Sequence, residues 1–305
     1  MAYFLQLLLN AVFISVLYGL LAVSYVLIHG LTRRINFAFG ALAIVAGYTT
    51  ISTAIVVMLL MPGEPVVAIA AGVLVGVVHT GLIGGIIDRT VARPLLSAGS
   101  LAVLVATLGL AIALEEAVRL AYASRELWLP PIRHAPLALG GGTVFPVQVS
   151  VLNLVVATLS ALVAAGLVAF IGCHPFGRLW RAAAEDLTMA ELCGVDVGRV
   201  LSITLVMACA LAGFAGAMIA VAYGVASFYG GFVIGLKTLF VAVVGGLGSV
   251  GGALAGGFIL GIFETLWSGY APLGYRDAAA LSMLALLMIA FPEGLCSFGT
   301  RQPPV

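Results

Sequence analysis

Charge is what this sequence has least of: Asp, Glu, Lys and Arg make up 8% of its 305 residues, where a soluble globular domain carries about 25%. Thirteen Lys and Arg stand against twelve Asp and Glu, a formal charge of +1. Charge so sparse and so balanced excludes an ordinary cytosolic enzyme and nucleic-acid binding through a basic surface. The common catalytic motifs are missing as well. No His-Glu-x-x-His, no Gly-x-Ser-x-Gly and no His/Asp group at metal-ligand spacing occurs, which removes the usual hydrolase readings. Cys173, Cys193, Cys209 and Cys296 lie in or beside apolar segments without paired spacing, and they read as packing residues rather than metal ligands or disulfides.

Long apolar runs take the place of charge. Residues 1–32, 35–63, 65–87, 94–114, 134–177, 200–236 and 238–263 contain no Asp, Glu, Lys or Arg. A bilayer core about 30 Å thick takes roughly 20 apolar residues as helix, so several helices span a membrane. A β-barrel is excluded because runs such as Leu101 to Ala106 do not alternate apolar with polar residues. The expected fold is all-α, a single polytopic domain over 1–305 with about eight spanning helices, some broken by glycine, and one cytoplasmic coupling helix. Spans are expected at 3–29, 37–61, 66–87, 99–121, 147–170, 201–222 and 278–291, with 238–267 forming one long piece or two short ones. The N-terminal run continues to Ile28 without a basic leading region, and it reads as the first spanning helix rather than a signal peptide.

Polar interruptions fall at Arg33 and Arg34, at 88–93, at 119–143 and at 173–199, and alternate ones share a side. Arg33, Arg34, Arg89, Arg93, Arg178, Arg181 and Arg199 then face Arg119, Arg125 and Arg133 across the membrane. The positive-inside bias puts the first group in the cytoplasm and the N-terminus outside. Trp128 to Pro131 and Gly140 to Gly142 supply turn and interfacial chemistry for a short outer cap. Trp267, Tyr270, Pro272 and Tyr275 look like an outer interfacial belt, after which the chain returns to the cytoplasm. Small residues repeat at four-residue spacing in Gly72/Gly76, Gly81/Gly85, Gly252/Gly256 and Gly257/Gly261. They suit close helix packing within the chain, with a dimer seam at 252–261 as the other reading.

The segment 173–199 carries the most information. Arg178 to Cys193 is a good helix former, Gly194 suits the left-handed position past a helix end, and Asp196 can cap the helix that re-enters the membrane. Arg181 and Glu185 are neighbours one turn apart, and Ala182, Ala183 and Ala184 present no bulk to a partner's groove. Three basic and four acidic residues over 178–199 give −1, little use for a loop whose only task is to hold positive charge inside. On these residues alone, a solvated connector and a docking element remain equally good readings. Asn36, just after Arg34, reads first as a helix cap. Lys237 and Glu264 are the main intramembrane ionisable groups, a class of residue that implies a role. His29 and His79 fall near helix ends and read as interfacial groups.

The pattern Gly177-Arg-x-x-Arg181-Ala-x-Ala-Glu185-Asp186, continuing through Leu192, Gly194 and Asp196 to Arg199, resembles the cytoplasmic loop of the branched-chain amino-acid ABC transporter permeases. Ile35 to Gly40, Ala92 to Leu95, Ala106 to Leu110, Gly235 to Lys237, Val244 to Ser249 with Gly256, Gly257 and Glu264, and Pro292 to Leu295 resemble the same family. The resemblance is colinear over nearly the whole chain. It is closest to the H-type permease subunit of high-affinity leucine/isoleucine/valine systems. Phe39 stands where the family usually has His, and Gly251 where it often has Pro.

That resemblance implies an inner-membrane, multi-pass permease subunit working by alternating access on hydrophobic amino acids. It would be partnered by a second permease subunit in a heterodimer, by two ATPase subunits and by an extracytoplasmic substrate-binding protein. No cofactor is expected on this chain, ATP being used by the partners; Gly235-Leu-Lys237-Thr238 lacks the spacing of a phosphate-binding loop. ATPase coupling is expected at Arg178, Arg181, Ala182, Ala183, Glu185, Asp186, Leu192 and Gly194. The translocation path is expected at Asn36, Phe37, Phe39, Gly40, Gly245, Gly246, Gly248 and Ser249, where glycine-broken helices free backbone groups for a polar substrate. Other readings are an ABC permease for urea or short amides, and a stand-alone secondary transporter or channel.

Overall fold

The computed structural model describes residues 2–95, 99–130, 137–138, 148–291 and 294–295. Gly140 to Gly142, Pro131, Arg133, Pro292 and Cys296, named above, lie outside them. The elements are α1 (Ala2–Thr32), α2 (Ala38–Leu60), α3 (Pro65–Ile87), α4 (Ser100–Ala121), α5 (Val151–Cys173), α6 (Pro175–Glu185), α7 (Leu187–Leu192), α8 (Val197–Tyr223), α9 (Gly231–Gly245), α10 (Val250–Tyr270) and α11 (Arg276–Ala290). Nine helical stretches among the described residues are long and apolar enough to cross a membrane, one more than expected. The extra span is Phe228–Gly245. Lys237 interrupts its apolar run in the sequence, and the fold neutralises that lysine with two carboxylates.

Small residues fix the closest helix pairs. A Cβ on Gly257 would fall on the backbone of Gly19, and one on Gly261 on the hydroxyl of Ser15, so α10 lies directly against α1. Gly72 and Gly76 likewise meet Thr50 and Ala46 of α2, and Gly84 meets Cys209 of α8. The face 252–261 is therefore an intrachain seam and not a dimer surface: Gly252, Gly256, Gly257 and Gly261 are all buried within this chain. In lipid, association rests on such backbone approach and van der Waals packing rather than on hydrophobic exclusion.

Short strands and polar contacts sort the connections into two ends. At one end β1 (Leu127–Trp128) pairs antiparallel with β4 (Val225–Ala226), joining the connection after α4 to that after α8. A second pair joins β2 (Leu137–Ala138) to β3 (Gln148–Val149), and Gln6 exchanges two hydrogen bonds with the Gln148 backbone. At the other end Arg34 donates to the Leu95 carbonyl at 2.6 Å, and Arg33 donates to the carbonyls of Ala184 and Glu185. The interruptions at 33–34, 88–93 and 173–199 thus gather at one end.

The helix expected over 178–193 is two helices. Asp186 ends α6, and its carboxylate accepts hydrogen bonds from the backbone N–H groups of Thr188 and Met189, capping α7. A short acidic side chain at an extended backbone position competes with helix continuation this way. Gly194 takes φ +87° past the end of α7, and Asp196 caps α8 through the Arg199 N–H. Beyond α9, Gly246 has φ +107° and Ser249 caps α10 through the Gly252 N–H. The stretch 238–267 is accordingly two helices broken at 246–249.

Candidate functional site

Among the described residues a cavity lies toward each end of the bundle. The first, about 410 Å³, lies at the end of the β1–β4 pair and is walled by residues of α1, α2, α8 and α9 together with Ser227, Tyr229, Arg276 and Asp277. The second, about 440 Å³, lies at the other end; Arg34, Asn36, Thr107, Leu187 and Glu191 line it with an apolar wall from α1, α3 and α8.

Charge at the first cavity belongs to one network, buried at Lys237 and Glu264 and part-exposed at Arg276 and Asp277. Lys237 on α9 is 2% exposed and Glu264 on α10 is 3% exposed, and they pair directly. Lys237 also reaches Asp277 Oδ1 at 2.8 Å, and Arg276 Nε lies 3.3 Å from the same oxygen. The Tyr18 hydroxyl of α1 donates to Glu264 Oε2 at 2.8 Å. Two cations and two anions therefore cancel, which is the condition under which ionisable groups persist at membrane depth. The sequence singled out Lys237 and Glu264; it missed Tyr18, Arg276 and Asp277. Arg276 and Asp277 sit just past the aromatic belt, where helix-end charges look interfacial, and only the fold brings them to Lys237.

The residues expected along the path fall in different places. Asn36 borders the second cavity and its Oδ1 accepts the Ala38 N–H at 2.9 Å, so the capping role is present. Phe37 stacks on Phe232 with centroids 6.3 Å apart, whereas Phe39 is 1% exposed and meets the Tyr25 ring edge to face. Gly40 lets α2 approach α9, since a Cβ there would overlap the Gly231 carbonyl. Gly245 packs against the Gly252 backbone, Gly246 is buried, and Gly248 is exposed at the bend with Ser249. None of Phe37, Phe39, Gly40, Gly245, Gly246, Gly248 and Ser249 lines either cavity.

The residues expected to couple to a partner divide by exposure. Arg178, Arg181, Ala182, Glu185, Asp186, Leu192 and Gly194 are exposed, but Ala183 is 1% exposed and packs inward. Arg181 donates to the Ile171 carbonyl at the end of α5 instead of meeting Glu185. The segment is anchored by Trp180, 5% exposed, whose Nε1 donates to the Leu27 carbonyl at 3.2 Å and whose ring rests on Gly30. Met189 and Leu192, 59% and 77% exposed, leave apolar surface at this end. Asp88, in a π-helical turn at Asp88–Ala92, was also missed. It is buried and its Oδ2 accepts from Arg93 at 2.9 Å and from Ser202 at 2.7 Å. π-Turns are a mark of local function or strain.

Comparison with known proteins gives a consistent answer. The family model "Branched-chain amino acid transport system / permease component" matches residues 7–292. The chain is 34% identical over 295 residues to the high-affinity branched-chain amino acid transport system permease protein LivH of Escherichia coli, covering 96% of this chain and 95% of that one. It is 31% identical over 294 residues to BraD of Pseudomonas aeruginosa, a permease protein of the same description, with the same coverage. No solved structure matches.

Proposed function

The chain belongs to the branched-chain amino-acid transport permease family, and on that premise we propose that it is a membrane-spanning subunit of an ATP-driven importer for branched-chain or other hydrophobic amino acids, working by alternating access in the inner membrane. The observation that carries the reading is the match to such permeases over residues 7–292, in a chain with nine membrane-length helices among its described residues. Positive-inside bias supports an outer position for the β1–β4 end and a cytoplasmic one for α6 and α7. ATP is then hydrolysed by two partner subunits, a second permease subunit completes the membrane unit, and an extracytoplasmic binding protein delivers substrate.

Coupling is assigned to the exposed groups of α6 and α7: Arg178, Arg181, Ala182, Glu185 and Asp186, with Leu192 and Gly194 at the far end. Leu187 and Glu191 of α7 also wall the inner cavity opposite Asn36. A push on α7 therefore changes that cavity directly, a short mechanical route from an ATPase to the path. Backbone around Phe37 to Gly40 and the bend Gly245 to Ser249 are assigned to shaping the path between the two cavities.

Copurification and reconstitution test the reading. The complete complex in liposomes should take up L-leucine only with ATP and with the binding protein present, and omission of the ATPase pair should abolish uptake. Proton-driven uptake by this chain alone would overturn it in favour of a secondary carrier, and ATP-driven uptake of urea or short amides but not leucine would replace the substrate class.

A further inference from the structure

The cavity at the β1–β4 end combines an apolar wall with one unusual polar corner. Leu17, Ile44, Ile219, Val233 and Ile234 face it together with Arg276 and Asp277. Deeper in the same corner, Lys237 and Glu264 hold each other, with side chains only 3% and 4% exposed. Arg276 and Asp277 are different: their side chains are 38% and 49% exposed, and they lie beside one another with Nε 3.3 Å from Oδ1. Arg276 Nη1 and Nη2 and Asp277 Oδ2 make no hydrogen bond among the described residues. The buried pair satisfies the structural need for neutrality, and the outer pair keeps open donors and an open acceptor at the cavity.

We propose that this cavity is a binding site for the amino-acid zwitterion, in which Arg276 holds the α-carboxylate, Asp277 holds the α-ammonium, and the aliphatic side chain lies against Ile219, Val233 and Ile234. The inference rests on the transport reading above and adds to it a place and a mode of recognition. An amino acid carries its two charges one carbon apart, so a neighbouring cation and anion on adjacent residues match both ends at once. Guanidinium binds carboxylate through a fork of donors, which fixes orientation as well as charge. The volume of about 410 Å³ falls within the roughly 300–1,000 Å³ of small-molecule sites. Part-exposed charges give a weak contact, as suits a carrier that must release what it takes. Lys237 holds Asp277 Oδ1 at 2.8 Å, so Oδ2 is the carboxylate oxygen left for a ligand.

Protection from labelling tests this, first with every charged residue in place and then with the two charges changed one at a time. Ser227→Cys places a thiol in the cavity, and Leu273→Cys, 67% exposed at the same end and outside the cavity lining, serves as control. Each is made in a chain whose four native cysteines are Ser, and each is labelled with an impermeant methanethiosulfonate in the reconstituted complex. Millimolar L-leucine should slow labelling of Ser227→Cys several-fold and leave Leu273→Cys unchanged. L-Leucinamide, which lacks the carboxylate, and 4-methylpentanoate, which lacks the ammonium, should protect far less. Arg276→Gln should bring leucine down to leucinamide, and Asp277→Asn should bring it down to 4-methylpentanoate. Leucine uptake by the same liposomes with no protection at Ser227→Cys, or with equal protection by all three compounds, overturns the site and leaves the transport reading standing. Protection in the predicted order without ATP-driven uptake keeps the site and overturns the transport reading instead.

Discussion

The two ends of the bundle use charge differently. Toward the β1–β4 end, Lys237, Glu264, Asp277 and Arg276 spend their charges on one another and tie α9, α10 and α11 together. At the opposite end Arg93 pairs with Asp88, while Arg33 and Arg181 donate to backbone carbonyls of Ala184, Glu185 and Ile171. Side-chain pairing at membrane depth fixes helix positions, because an unpartnered charge there is costly. Arginine on carbonyls leaves the acidic side chains of Glu185 and Glu191 on the surface, where another molecule can meet them. One end buries its Lys237–Glu264 pair and opens only Arg276 and Asp277 toward an inner cavity, whereas the other presents its acids on the outer surface.

The largest expected effect breaks the buried pair. Lys237→Met strands Glu264 without its cation, and removal of one partner from a buried pair costs about 3–5 kcal/mol. The unfolding midpoint in detergent should fall accordingly, and Lys237→Met with Glu264→Met should recover most of the loss while Asp277 keeps Arg276. A double variant no better than the single one would mean that the pair does not hold this end together.

At the other end the anchor is packing. Trp180→Ala removes a buried ring from the α1 surface, worth about 3 kcal/mol. The loss should stay local: trypsin cleavage at Arg178 and Arg181 should accelerate by about a hundredfold while global unfolding barely moves. A global loss equal to that of Lys237→Met would erase the contrast between the ends. Smallest is Asp186→Ala, which removes the cap of α7 at about 1 kcal/mol. Amide exchange at Thr188 and Met189 should quicken about fivefold. Unchanged exchange would show that α7 is held by its neighbours and not by its cap.

Much of this architecture was readable beforehand because apolar length is a strong signal and some positions admit few residues. Gly194 had to be left-handed, and Asp196 and Asn36 had to cap something. Lys237 hid the first half of the span Phe228–Gly245, because hydropathy counts a lysine against a membrane segment and cannot see the carboxylates that neutralise it. The break at Asp186 was hidden because most of its neighbours, from Ala182 to Glu185 and at Leu187, Met189 and Ala190, are good helix formers, and local capping outweighed their propensity. The polar corner at Arg276 and Asp277 depends on helices that meet only in three dimensions, so no spacing along the chain announces it. Glycine repeats signalled close packing, yet which surface they met, α1 rather than a second chain, needed the fold.

The seam between α1 and α10 has a consequence in time. Ser15 donates to the carbonyl of Phe258, 243 residues further along the chain. At about 5–20 residues per second of synthesis, the first helix enters the membrane on the order of ten to fifty seconds before its partner exists. Throughout that interval the groove around Ser15 and Gly19 is covered by lipid or by the insertion machinery, and the last helices to leave the ribosome are the ones that displace this cover. Biogenesis of this protein therefore closes like a ring, its beginning held open until its end arrives.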